Sequence, residues 1–249
     1  MIHQTLTSVL KELRLPTVRA SYEELATEAT RDTLSYEQYL LSLMEREHEV
    51  RRENRIARFL RTSRLPVEKT LSSFDRDRLP KKVNHLLSTL LDGGFMDRSE
   101  NVLAFGNPGS GKTHLLCAIG QEMVQQHGKR ILFTPCNLMV QNLLIAKRDL
   151  KLSRVLKSLS KYDAIIIDDI GYVQQSREEM EVLFTLLADR YERTSIMITS
   201  NLPFSKWEQI FKDPMTTAAA IDRLVHHSVI LELNLPSYRL EKSKETKAN

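Results

Sequence analysis

Gly106-Asn107-Pro108-Gly109-Ser110-Gly111-Lys112-Thr113 has the spacing G-x-x-x-x-G-K-T. From average residue usage, such a match arises by chance in about one chain in a hundred of this length. Its surroundings argue further against chance. Asn101-Val102-Leu103-Ala104-Phe105 reads as a strand entering the loop, and His114 to Met123 reads as the helix leaving it. That is the setting in which this pattern cradles phosphates. Backbone N–H groups from Gly106, Asn107, Gly109, Ser110 and Gly111 curl round phosphate oxygens, and the helix N-terminus adds positive dipole. Pro108 belongs to the same loop but has no N–H to give. Lys112 reaches the β- and γ-phosphates, the Thr113 hydroxyl suits magnesium, and His114 closes the nucleotide-contacting stretch. The loop therefore predicts ATP with Mg2+.

Working outward, short apolar runs alternate with helical patterns. Strands are expected at 101–105, 130–134, 164–168, 195–200 and 228–233, with helices such as 111–127 and 177–191 between them. Continuous apolar runs such as Ala164-Ile165-Ile166-Ile167 suit a parallel sheet covered on both faces. The expected fold is α/β, a P-loop domain on a parallel five-stranded sheet. Asp168 ends one apolar run, where a carboxylate beside a phosphate loop can hold magnesium; the alternative is a helix N-cap. Asp169 is the next carboxylate. Asn201, at the end of the run from Ser195, either orients the attacking water and the γ-phosphate or forms an Asn-Leu-Pro turn.

The 249 residues are 41% hydrophobic and 27% charged, with no apolar run near the length of a membrane span. Met1 to Thr5 lacks the features of a signal peptide, and Cys117 and Cys136 have no zinc-type spacing. A cytoplasmic protein without membrane partners is expected. The net charge of +4 leans towards an anionic partner.

Residues 1–65 contain no glycine and read as helical, with Leu34, Leu40, Leu41, Leu43 and Met44 at helical spacing behind a Ser35/Gln38 capping box. Pro66 ends this part. The expected organisation is a small all-α domain at 1–66, a connector at 67–80, the ATPase domain at 81–240 and a disordered tail at 241–249. Between Arg46 and Arg64 stand seven arginines. Arg51, Arg55 and Arg58 share a helical face, and with Arg52 and Arg61 they form a candidate surface for DNA phosphates. A solvated helix salt-bridged by Glu45, Glu47, Glu49 and Glu53 is the other reading. His226 and His227, at a strand start, should point to opposite faces and hold no metal. Trp207, Phe211 and Cys117 read as packing residues.

The segments Lys69-Thr70-Leu71 to Phe74-Asp75, Gly106 to His114, Ile165 to Tyr172, Ala188 to Glu192, Ile198 to Phe204, Ala220 to Leu224 and Ser237-Tyr238-Arg239 follow one another in a specific order. In this the chain resembles the IstB family of insertion-sequence helper ATPases, AAA+ proteins related to DnaC-type helicase loaders. The resemblance implies an AAA+ domain with a reduced C-terminal lid and ATP at the interfaces of a homo-oligomer. It makes Arg223 an arginine finger and Arg239 a second sensor, which join Lys112, Asp168, Asp169 and Asn201 as the catalytic set. In AAA+ ATPases the position of Asp169 is usually a glutamate that polarises the attacking water, so the resemblance makes Asp169, one methylene shorter, the candidate base. The implied function is a transposition helper that assembles on double-stranded DNA, largely without sequence preference, and recruits a transposase. The alternative is a helicase loader.

Overall fold

The structure, a computed structural model, describes residues 2–171, 176–211, 213–238 and 240–241. The chain divides into two compact units, 1–58 and 59–249.

The first unit is helical: α1 (Ile2–Glu12), α2 (Pro16–Arg31) and α3 (Tyr36–Ser63), the last continuing beyond Arg58. Leu10, Val18 and Leu43 are its buried centre, with Leu15, Tyr22, Leu25 and Tyr39 packed round them. The Ser35/Gln38 capping box is present, each side chain meeting the other residue's backbone N–H at 3.3 and 2.8 Å. α2 has no side-chain cap of its own. Glu47 of α3 accepts the N–H groups of Thr17 and Val18, which lack partners within the helix, at 2.8 and 3.1 Å instead.

The second unit begins within α3 and continues through a 3-10 turn at Arg76–Arg78, α4 (Lys81–Leu91) and α5 (Gly94–Asp97). Then come β1 (Asn101–Gly106), α6 (Lys112–His127), β2 (Ile131–Pro135), α7 (Cys136–Arg148), α8 (Leu152–Leu159), β3 (Ala164–Asp168), α9 (Arg177–Arg190) and β4 (Ser195–Ser200). α10 (Glu208–Phe211), α11 (Pro214–Val225) and β5 (Ser228–Leu233) follow. All strand pairs are parallel, in the order β2-β3-β4-β1-β5. The expected α/β fold and its five strands are therefore present.

Alternation along β3 shows why its run is continuously apolar. Ile165 and Ile167 belong to the large cluster with α7, α8 and α9, while Ile166 meets Gly120 of α6 across the other face. Trp207 is fully buried, donates its ring N–H to the Leu202 carbonyl at 3.1 Å, and packs with Phe204 and Phe211. The phosphate loop and Asp168 lie at the carboxyl ends of β1 and β3, where parallel α/β sheets present their ligand sites.

Candidate nucleotide site

β1 delivers the loop at Gly106, whose φ is 150°; a Cβ there would stand 2.1 Å from the Leu233 carbonyl oxygen. Only glycine lets the loop leave the sheet this close to β5. Gly109 and Gly111 also have positive φ, and Gly109 lies against the side chain of Ser237. The loop backbone is thus held in a concave turn. Lys112 is buried, and its Nζ donates to the Gly106 and Asn107 carbonyls at 2.9 and 2.8 Å. Ser110 is buried too, and its hydroxyl has no hydrogen-bond partner among the described residues. A buried cation and an unsatisfied hydroxyl in a glycine cradle suit an anionic ligand.

Thr113 donates to Asp168 at 2.7 Å, so the two residues expected to serve magnesium meet. The arrangement includes a residue the sequence reading passed over. The Thr199 hydroxyl donates to the same Asp168 oxygen at 2.7 Å and accepts the Asp169 N–H at 2.7 Å. It ties the two carboxylate positions together from β4. Thr199 stands just ahead of Ser200-Asn201, but only the parallel pairing of β3 with β4 reveals its role. Asn201 is brought in as well, its amide donating to Asp169 at 3.1 Å.

Asp169 has φ 62°, a left-handed conformation that Asp and Asn tolerate better than longer side chains. Burial, then the neighbouring Asp168, push its carboxyl above the usual range, with Lys112 opposing them. That favours proton acceptance. By contrast, burial lifts the Cys117 thiol to about 12, so it is an inert core group.

The segment read as a connector is part of this site. A cavity of about 230 Å3 is lined by the loop from Gly109 to His114 and by Lys69, Phe74, Arg78, Leu235 and Tyr238. His114 lies within hydrogen-bonding distance of the Thr70 carbonyl and Ser73 hydroxyl, and Phe74 meets its ring edge-on at 5.1 Å. Arg78 stacks on Tyr238 and donates to Pro236 and Glu241, while the Tyr238 N–H donates to Gly109. The cavity can seat a planar base beside the phosphates. An aromatic residue in a proline-bounded connector was the available signal.

Other candidate residues are placed elsewhere. Arg223 donates to the Ala219 carbonyl at 3.1 Å and lies over the Phe184 ring. Arg239 and the tail beyond 241 lie outside the described residues. Arg190 is 1% exposed and donates to the Leu159, Tyr162 and Ser195 carbonyls. Burial lowers its pKa to about 10. His226 and His227 do not point to opposite faces. β5 starts only at Ser228, and the two rings lie 4.2 Å apart with Glu192 close by, an exposed cluster whose donor atoms fall within 4.8 Å.

In the first unit, Arg51 donates to Glu47 at 2.6 Å and to the Arg14 carbonyl, and Arg52 pairs loosely with Glu49. Burial raises the Glu47 carboxyl, but Arg51 and the Val18 and Thr17 amides outweigh it and hold it below the usual range. Arg55, Arg58 and Arg61 are exposed.

The fold and the loop define a P-loop ATPase of the AAA+ class. The chain belongs to the family of IstB-like ATP binding proteins, whose sequence model matches residues 8–246. An insertion-sequence ATP-binding protein of Sinorhizobium fredii is 41% identical over 240 residues, covering 96% of this chain and 80% of that protein. The corresponding protein of insertion sequence IS21 from Pseudomonas aeruginosa is 36% identical, covering 95% and 89%. Among solved structures, the DnaC helicase loader superposes with a TM-score of 0.58 at 15% identity, over 67% of this chain and 97% of that one. DnaA of Aquifex aeolicus bound to AMPPCP gives 0.55 at 19% identity, over 74% and 56%. These two likenesses concern the fold alone. No helix among the described residues is long and apolar enough to cross a membrane.

Proposed function

We propose that this protein is a cytoplasmic, ATP-dependent transposition helper that assembles on double-stranded DNA and recruits a transposase. The observation that carries the nucleotide half is the Thr113–Asp168–Thr199–Asp169 chain of hydrogen bonds beside a glycine cradle. The donor set is all oxygen, which suits Mg2+. Thr113 and Asp168 would hold the ion, which when bound supplies charge neutralisation for the phosphates. Lys112 anchors the β- and γ-phosphates, Asp169 accepts a proton from water, and Asn201 fixes Asp169.

Two arginines act by the same reading outside the monomer's own loop. Arg223 reaches ATP in a neighbouring subunit, and Arg239 contacts phosphate. The exposed Arg55, Arg58 and Arg61, with Arg51 and Arg52 beside them, provide the grip on DNA backbone. The insertion-sequence relatives support the transposition role.

Mass photometry with random-sequence duplex tests the assembly. ATP or a non-hydrolysable analogue should convert monomers into DNA-bound oligomers, and Lys112→Ala should stay monomeric. Assembly that ignores nucleotide would sink the reading.

A further inference from the structure

A groove of about 530 Å3 opens at the amino-terminal edge of the sheet, the edge away from the phosphate loop. α8 and the residue after it supply Ser153, Lys157 and Ser160; the end of α9 and the turn into β4 supply Arg190, Arg193 and Thr194. The charge of this lining is one-sided. Two exposed cations, Lys157 and Arg193, face a single carboxylate, Asp189, while the third, Arg190, is only 1% exposed.

The sequence around α8 explains the imbalance. Leu152, Val155, Leu156 and Leu159 pack into the core, which turns the polar residues outward. From Leu150 to Tyr162 there are four cations, Lys151, Arg154, Lys157 and Lys161, and no carboxylate. Lys151 is paired with Asp149 at 3.2 Å, whereas Arg154, Lys157 and Lys161 stand exposed. Arg193 keeps only a 3.7 Å contact to Asp189 and is 76% exposed. Arg190 is different. It is locked in place by three carbonyls, and its Nε, buried, has no hydrogen-bond partner among the described residues. The exposed cations are thus Lys157 and Arg193 in the groove and Lys161 beside it, with the hydroxyls of Ser153 and Thr194.

We infer that this groove binds the phosphodiester backbone of nucleic acid. Exposed cations with neutral hydroxyl donors are what phosphate contacts use. The lining holds no aromatic ring on which an unpaired base could stack, so the backbone of a duplex is the better fit. The inference rests on the DNA-binding reading above and adds a second contact, within the ATPase unit.

The test is salt-titrated binding of the full-length protein to a random-sequence duplex and to oligothymidylate, with nucleotide affinity as the folding control. Lys157→Ala/Lys161→Ala/Arg193→Ala should weaken duplex binding at least about tenfold and flatten the salt slope by about 2.7, at 0.9 per phosphate contact. Nucleotide affinity should not change. If the triple variant folds poorly, Lys157→Gln alone should flatten the slope by about 0.9. A loss confined to oligothymidylate supports the groove and assigns it to single strands. An unchanged slope, while Arg55→Ala/Arg58→Ala weakens binding, overturns the groove and leaves the DNA reading standing. Wild-type protein that binds neither nucleic acid overturns both.

Discussion

The phosphate loop and the arginine face of α3 both offer cations to phosphate, yet they are built in opposite ways. In the loop, eight consecutive residues set the backbone, and Lys112 is 7% exposed and fixed by two carbonyls of the same loop. On α3 the cations are exposed, and their availability depends on what the fold brings alongside. Arg51 is drawn onto Glu47, which is itself fixed by the N-terminus of α2. Arg55, one turn further along, makes no ion pair among the described residues. The difference teaches that an anion site made by backbone is local, whereas one made by side chains is what remains after folding has taken its share.

Five measurements would break or sharpen that contrast. The largest effect belongs to Lys112→Ala, which should weaken a fluorescent ATP analogue about 100-fold, the loss of two charge-assisted bonds. Unchanged affinity would deny the loop its anchor. Thr199→Val removes the donor to Asp168 and the acceptor of the Asp169 N–H with little change of volume. Turnover should fall about tenfold or more while ATP affinity holds, since a lost positioning bond acts on the barrier. Thr199→Ser should recover most of it; equal losses in kcat and in binding would point to general damage.

On the α3 side, Arg55→Ala/Arg58→Ala should flatten the salt slope of duplex binding by about 1.8 and leave thermal stability alone. Arg51→Ala should instead cost the protein about 1–2 kcal/mol, because Glu47 keeps its burial and loses its cation. If Arg51→Ala affects only DNA, Arg51 is a contact and not a brace.

The smallest effect concerns Asp169→Asn. The native carboxyl has a raised folded pKa, so the folded state holds its proton longer than the unfolded state, and stability falls as pH rises through that value. The Asn variant should therefore be more stable by about 1–3 °C above that range. The gain should vanish below the ordinary carboxylate range, where both states are neutral. Asn suits the left-handed backbone here, which keeps the comparison clean.

Much of the fold was legible in short stretches. The five strands and the helices around them lie within a residue or so of where the pattern puts them, because each is a run whose period and flanking glycines or caps are local. The Ser35/Gln38 capping box is of the same kind. The site divided differently. Lys112, Thr113 and Asp168 could be picked out by spacing, but Thr199, Phe74, Arg78 and Tyr238 could not, since their partners come from distant segments. His226 and His227 misled because strand alternation was applied one step before the strand begins.

By itself, then, the sequence determined the phosphate loop, a P-loop α/β architecture on a five-stranded parallel sheet, and the family. Tertiary structure alone decided that a connector walls the nucleotide cavity, that Thr199 joins two carboxylates, and that Arg51 and Arg190 brace their own chain. The physical reason is range. Backbone conformation and hydrophobic period are set by neighbours along the chain, whereas the partner of a hydroxyl, a carboxylate or a guanidinium is whichever group the packed fold places within about 3 Å of it.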